Sequence, residues 1–400
     1  FDGMNSYGDE NIQLMSSVGQ AMVTAGALPS AALALIPADV NVSRTGFEER
    51  HLVDYNTKSL KLNGALHYRI NDKVEAVAQI NYGFGTTAYT GNGRYSLRNF
   101  NLTQGKFELR GDNFTLRAYT TQERSGDSYT AGLQAIYMNE AWKSSTLWFP
   151  QYVGAFVQAR QAGAPIDQAH VAARTFADQG RPTPGSEAFN QLRDRVATNF
   201  ISNTTNPGAA FLDKSNLYHI EGNYNFKNEI KFAEVQVGAN YRLFQLRSQQ
   251  TLFDDGGGTI NIPEFGGYLQ VAKAFGPLKI TASGRYDKNR NFEGRFTPRA
   301  AAVYTFAGDQ NLRLSYQTGF RIPTTQNQYI DLLVPNARLI GGLPRFQEKY
   351  DMINNPVYTR SSFVAFGAAA AQIGADRTFR DQAVQALTQQ VTAAVTTPAN

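Results

Sequence analysis

The Gly83–Ala88 run (Gly-Phe-Gly-Thr-Thr-Ala) has the spacing of a loop that lays backbone N–H groups against a pyrophosphate. That chemistry needs a helix to follow at once, because the helix N-terminus supplies the positive end that holds the anion. Tyr89-Thr90-Gly91-Asn92-Gly93 follows instead, so the run is expected as a glycine-rich turn. Asp254-Asp255 before Gly256-Gly257-Gly258 offers carboxylates to a cation. It lacks the regularly spaced further ligands of a calcium loop and is expected as a solvated loop tip. The four histidines, His51, His67, His170 and His219, have no metal-ligand spacing. With no cysteine there is neither a thiolate ligand nor a disulfide framework. No nucleophile elbow or paired-carboxylate motif stands out, so the chain is expected to be no enzyme and to carry no cofactor or metal.

What remains is chemistry of binding. Trp142, Trp148, Phe149 and Tyr152 fall in one long segment between two strand-rich regions. Rings of this kind stack on ligands or form the core of a folded segment, and the second is the commoner fate. Trp142 and Trp148 are the candidate ligand contacts. Arg313 and Arg321 occupy polar phases near the end of a strand pattern. They are candidates to touch an anionic ligand or a plug, or to set the field of a pore.

The elements that must position these residues read as strands. Leu60, Leu62, Gly64, Leu66, Tyr68 and Ile70 alternate with Lys61, Asn63, His67 and Arg69, with Ala65 the exception. The pattern resumes after Asn71-Asp72-Lys73 in Val74 to Phe84. It recurs on either side of 111–113, at 218–226, 233–243 and 278–286, and in Leu312 to Phe320. About ten strands result. Tight turns are expected at 71–73, 111–113, 227–229, 275–277 and 307–310, and longer segments at 85–93, 122–214, 248–265 and 288–295. Short connections on one rim and long ones on the other are the arrangement of a transmembrane barrel with its long loops outside the cell.

Composition agrees. Phe, Tyr and Trp make up 12% of 400 residues and Asp, Glu, Lys and Arg only 18%. Mean hydropathy is −0.38, as it is when lumen-facing residues offset lipid-facing ones. No apolar run reaches the roughly 18 residues of a membrane helix; the Ala25–Ala38 stretch is broken by Pro29 and Pro37. The net charge of +5 is spread singly along strands, which gives lumen and loop charges and no nucleic-acid partner. Aromatic residues near strand ends, among them Tyr82, Phe84, Phe114, Phe226 and Phe275, suit the headgroup level.

The fold class is therefore all-β: an antiparallel transmembrane β-barrel with long, partly helical extracellular loops, in contact with outer-membrane lipid. Residues 57–121 and 215–320 hold the strands, and 1–56, 122–214 and 321–400 are extracellular segments. Within 122–214, Ser186 is expected to cap a helix with Phe189, Leu192, Val196 and Phe200 on one face, and Gly180 to end an earlier one. A similar helix is expected at about 376–395. An open sheet edge is not viable in hydrocarbon, so further strands on both sides are expected. Phe1 is no initiator, and a targeting segment is expected upstream.

Two stretches resemble a known family. Asn311–Thr324 (NLRLSYQTGFRIPT) resembles the strand-to-loop motif of TonB-dependent receptors, in which Phe-Arg-x-Pro-Thr closes an ascending strand. Glu49–Gly64 (ERHLVDYNTKSLKLNG) resembles receptors of this family from Bacteroidota, often preceded by a carboxypeptidase-like regulatory domain. The resemblance spans about 57–324. It implies a barrel of about 22 strands around an N-terminal plug, driven by the energy-coupling TonB complex of the inner membrane. It implies import of a scarce small-molecule or oligomeric nutrient, a metal chelate (siderophore), glycan or peptide, and admits a surface lipoprotein lid. The chain shows neither the plug nor the coupling box, and a passive porin or adhesin on the same barrel is the competing expectation. A soluble secreted all-β protein is a third, weaker one.

Overall fold

Successive Cβ atoms of a strand point to opposite sides, so an alternating sequence becomes a sheet with two unlike faces. In the computed structural model, ten long strands realise this. They are β1 (Lys58–Asn71), β2 (Val74–Thr90), β3 (Arg94–Gly111), β4 (Phe114–Arg124), β5 (Asn216–Asn225), β6 (Glu234–Leu246), β7 (Ile260–Phe275), β8 (Leu278–Asn289), β9 (Phe292–Phe306) and β10 (Gln310–Gln317). Each pairs antiparallel with the next, so the sheet is one continuous meander, with a two-residue strand at Tyr129–Thr130 pairing on β3. The structure describes residues 5–90, 93–308, 310–334 and 337–354. The helix expected at 376–395 lies outside them.

Register carries the two faces across the sheet. Leu66, Ala78, Phe107, Ala118, Ile220, Tyr241 and Phe265 stand opposite one another in a single row over seven strands. The adjacent row, His67, Val77, Glu108, Arg117, Glu221, Asn240, Gly266 and Asp287, occupies the other face. Exposure is inverted relative to a water-soluble sheet. Leu66, Leu269 and Leu314 are 70%, 50% and 76% exposed on the apolar side, whereas Glu108 on the polar side is fully buried. A contiguous exposed apolar surface of this extent is a surface for lipid or a partner.

The polar face carries charge pairs within and between strands. Arg117 Nε donates to Glu108 at 2.6 Å and its Nη1 to Glu221 at 2.9 Å, while Arg110 donates to the other Glu108 oxygen. Arg285 bridges Asp287 and Asn240, and Arg242 lies 3.3 Å from Glu264. Removing one partner here leaves a charge with no compensation, so the pairing is required wherever the strand is shielded from water.

Connections at one end are two or three residues at 72–73, 112–113, 276–277 and 307–309, but eight at 226–233, where a tight turn at 227–229 is expected. At the other end lie 91–93, 125–215, 247–259 and 290–291. Two segments expected as long loops, 85–93 and 288–295, are therefore mostly strand. Alternation fades there because both faces have left the apolar band, while the ladder continues through Thr87↔Leu97 and Thr90↔Arg94. The Gly83–Ala88 run is likewise strand and not turn. The register slips between Gly85 and Thr87, and a Cβ on Gly85 would sit 3.0 Å from the Lys58 carbonyl oxygen, so glycine here serves a bulge and a close strand approach.

Residues up to Gly341 form one unit and those from Gly342 a second, whose described part contains a short helix, Arg345–Lys349. Among the described residues the outer edges of β1 and β10 have no strand partner.

The apolar face makes a specific prediction. Ile80→Arg, in the middle of the band, should destabilise the protein by about 2–4 kcal/mol in lipid vesicles. Gln79→Arg, one residue away on the polar face, should cost much less. Urea titration of the vesicle-inserted protein checks both, and equal losses would contradict the facing assigned here.

Candidate functional site

The 125–215 connection folds because its helices have partners for their apolar sides. They are α2 (Ala131–Trp142), α3 (Ser145–Gln161), α4 (Ile166–Ala177) and α5 (Glu187–Thr198), joined by α1 (Met15–Thr24) from the N-terminal segment. Ser186 Oγ accepts from Phe189 N at 3.2 Å and caps α5, whose Phe189, Leu192 and Val196 are buried. Phe200 falls beyond the helix and is 37% exposed, so it leaves the expected apolar face. Gly180, at φ +82°, stands three residues after α4.

The two tryptophans are placed differently. Trp148 is fully buried, stacked on Tyr152 at 5.2 Å with the Arg44 guanidinium 5.2 Å from its ring, and its Nε1–H donates to Asp178. Phe149 and Tyr152 are buried with it. Trp148 presents no ring face to a ligand; it is core, because a ring of this size stabilises a loop most when its whole surface leaves water. Trp142 is half-buried, donates to Asn139 Oδ1, and carries Lys143 at 5.1 Å. Arg44 is itself wholly buried, and burial lowers its pKa to about 10 against the opposing pull of Glu140 and Asp178.

Glu49 fastens the N-terminal segment to the barrel. Its carboxylate accepts from Asn5 at 3.0 Å, Tyr7 at 3.1 Å, Tyr55 at 2.9 Å, and Arg94 at 3.0 and 2.8 Å. Burial alone would raise its pKa, but those donors outweigh it and hold the group below 4.5. Burial and the bond to Glu49 push Tyr7 up to about 12.

Beneath this layer, at the outer end of the polar face, lies a cleft of about 990 Å³, of the size that small-molecule sites take. One side is aromatic. Tyr89 and Tyr95 stand 6.2 Å apart and Tyr95 meets Phe211 edge-on at 5.9 Å. Glu123, Asp213 and Ser215 also line it, with Glu10 from the N-terminal segment. Burial raises the Asp213 pKa, and so does nearby Asp255.

None of the four residues singled out in the sequence lines this cleft. Arg313 sits on β10 opposite Val303, exposed on the polar side. Arg321, just after β10, lines a separate groove of about 740 Å³ with Lys288, Arg290 and Arg295. The cleft residues were visible only as phase: Glu123 continues the polar series Thr115, Arg117, Tyr119, Thr121. Asp255, expected at a solvated tip, is buried and accepts from the N–H groups of Ser248, Gln249 and Gln250, which shapes the 247–259 loop. The histidines are far apart in role: His67 meets Glu75, His170 meets Tyr152, and His219 stacks on Tyr119. Among the described residues no three His, Asp or Glu side chains converge on a metal position.

An apolar band facing outward, a charge-paired inner face and a roofed cleft at the long-loop end define a transmembrane barrel of the outer membrane. The sequence matches the family model "TonB dependent receptor-like, beta-barrel" over residues 37–361, and the chain belongs to that family. It is an outer-membrane protein. Similar solved structures include the siderophore receptor PirA from Pseudomonas aeruginosa, at 10% identity and TM-score 0.40, covering 68% of this chain and 35% of that one. Another is the alcaligin outer-membrane receptor FauA from Bordetella pertussis, at 12% identity and TM-score 0.34, covering 65% and 35%. The chain spans about a third of the length of these receptors. No curated protein matches the sequence.

The Glu49 clamp has a pH signature. A carboxylate held below its free value stabilises fully above that value and loses the contribution as pH falls through the folded pKa. Hydrogen exchange at Asn5–Tyr7 and Glu49–Tyr55, corrected for intrinsic rates, should therefore accelerate as pH drops below 4.5. Glu49→Gln should exchange fast at every pH and show no such step.

Proposed function

We propose that this protein is the barrel portion of an outer-membrane receptor that binds a scarce nutrient in the cleft under its outer loops and imports it by energy-coupled transport. The observation that carries the reading is the cleft itself. It lies on the inner face of a TonB-dependent-receptor barrel, at the end where the long connections gather. A ligand held there is already inside the wall and needs only an opened path along the polar face. The energy would come from the inner-membrane TonB complex acting through a plug. The nutrient would be a siderophore, glycan or peptide, and a surface lipoprotein lid fits the same scheme. Support for the subgroup found in Bacteroidota comes from the Glu49–Gly64 stretch alone.

Arg313 and Arg321 keep a proposed role on this path. Both stand on the polar side, where a guanidinium can meet a plug carboxylate or an anionic part of the cargo. Trp142, half-open, is a proposed ligand contact at the loop layer; Trp148 is not.

Depletion of medium components by living cells tests the proposal. Cells lacking the receptor and cells lacking the TonB complex should leave the same compounds unconsumed, while the parent strain removes them. Consumption that persists without the TonB complex but stops without the receptor would make the protein a passive porin. Identical consumption in all three strains would point to an adhesin.

A further inference from the structure

Charge on the outward face is of one sign only. The phase that places Leu66, Ile220 and Tyr241 outward holds no Asp or Glu in any of the ten strands among the described residues. The inward phase holds Glu75, Glu108, Glu221, Glu264 and Asp287. Cations do stand outward, most of them near the outer rim. Arg124 closes β4 in phase with Leu116, Ala118 and Gln122, and its guanidinium reaches the Gln122 side-chain oxygen on that face at 3.3 Å. Asn216 stands opposite both Gln122 and Gln245. The ladder then runs on: Glu123 N donates to Ser215 O at 3.0 Å, and Lys214 N to Arg247 O at 2.9 Å. Arg124, Lys214 and Arg247 are thereby set side by side on three neighbouring chain segments.

Their height is that of the membrane surface. The three stand 10, 11 and 13 positions beyond the inner ends of their strands at Phe114, Asn225 and Glu234. A tilted strand crosses the hydrocarbon in about 9–11 residues. Lys288 and Arg290 repeat the placement, 10 and 12 positions beyond Leu278. Between the apolar band and the cations runs a row of amides, Gln122, Asn216, Gln245 and Asn261, in which Gln245 Nε2 donates to Asn261 Oδ1 at 3.0 Å. Lys214 and Arg247 are exposed, and neither side chain has a hydrogen bond or ion pair among the described residues. Like charges directly opposite each other weaken a strand pair, and no acid on this face offsets them. The Lys288 and Arg290 side chains reach only the backbone oxygens of Phe292 and Asn261, which leaves their charge intact.

We infer that the Arg124–Lys214–Arg247 row binds the phosphate of an anionic lipid head group in the outer leaflet, with the acyl chains of that lipid on the apolar band below. A lipid is favoured over a soluble anion because the row is continuous with the band. Tyr218 and Tyr241, 41% and 45% exposed, stand beneath Lys214 and Arg247 on the same strands. A phosphate between the two unpartnered cations replaces their repulsion by charge-assisted hydrogen bonds. The site lies on the outside of the wall, and none of its three cations lines the cleft. It therefore stands or falls with the facing of the strands and not with the cargo or its transport.

Lipid binding to the full-length protein in dodecyl maltoside, followed by native mass spectrometry, tests the inference with two probes of equal acyl chains. Dioleoyl phosphatidic acid presents a bare phosphate, whereas dioleoyl phosphatidylcholine offsets its phosphate with a choline. Phosphatidic acid should bind about tenfold or more tighter, and inorganic phosphate at equal concentration should not displace it. Lys214→Gln combined with Arg247→Gln should weaken phosphatidic acid by about tenfold and leave phosphatidylcholine unchanged. Lys227→Gln combined with Lys231→Gln removes the same charge at the opposite rim and should leave both lipids unchanged. All four side chains are exposed; should the first pair fail to fold by circular dichroism, the comparison of lipids on the unaltered protein decides. Equal binding of the two lipids, displacement by inorganic phosphate, a folded Lys214/Arg247 variant with unchanged affinity, or an equal loss in the opposite-rim variant would overturn the inference.

Discussion

In hydrocarbon, a backbone N–H or C=O without a partner costs several kcal/mol, and the rest of this structure follows from meeting that requirement with strands. A strand satisfies its backbone only through neighbours, so the ten strands must run in unbroken register. A one-residue slip would turn every Leu of the apolar face toward the inner side. The register is accordingly shared over long distances, with Leu66 and Phe265 in one row although 199 positions of sequence separate them. Two of the irregularities among the main strand pairs fall at strand ends, Arg69/Asn71 and Asp287/Asn289, and the third, Gly85/Thr87, in the outer part of the β2–β3 hairpin. There the chain leaves the band, and a bulge can bend it without exposing backbone to lipid.

The same requirement decides where charge is permitted. Every strand must carry polar residues on one face, and the meander brings those residues together. Glu108, Arg110, Arg117, Glu221 and His219 meet because their strands are adjacent and their phases agree. Pairing removes the penalty of a buried Glu108 and at the same time fixes neighbouring strands relative to one another. Closer to the outer rim the arithmetic changes. Arg94 is drawn off by Glu49 to clamp the N-terminal segment, and Arg124 is drawn off by backbone oxygens. The Glu123 carboxylate is left without an ion pair, while Asp213 keeps its bonds to Ser215 and the nearby charge of Arg124. An inner face neutralised along its length thus ends in an acidic, aromatic pocket.

Sequence reading reached the sheet because a period of two is a local property that survives in any ten residues. Leu60 to Ile70 and Tyr218 to Phe226 announce their facing without knowledge of their partners. The α5 helix was legible for a similar reason, since Ser186 and the Phe189, Leu192, Val196 spacing lie within one segment. The cleft was not legible. Tyr89 and Tyr95 flank a hairpin tip, Glu123 ends β4, and Phe211 and Asp213 close a connection some ninety residues long. Their common property is nearness in space, and no local period encodes that. The tryptophans misled for a related reason: Trp148 and an exposed binding ring have the same sequence signature, and only Arg44 and Asp178, from two other segments, with Tyr152 one turn along the same helix, show it to be core.

The loop layer and the cleft are mechanically linked. The cleft's aromatic wall is part strand (Tyr89, Tyr95) and part loop (Phe211), and its acidic wall is likewise strand (Glu123) and loop (Asp213). Movement of the loop relative to the strands would therefore separate both pairs together. Glu49 binds the N-terminal segment to Arg94 at the start of β3; Ser125 Oγ, just past the end of β4, accepts from Asp213 N at 2.9 Å; and Thr251 Oγ1 accepts from Leu212 N at 2.8 Å, joining the 125–215 and 247–259 loops. All three lie within a few residues of the cleft's own lining. These bonds hold the loop residues of the cleft in place beside its strand residues.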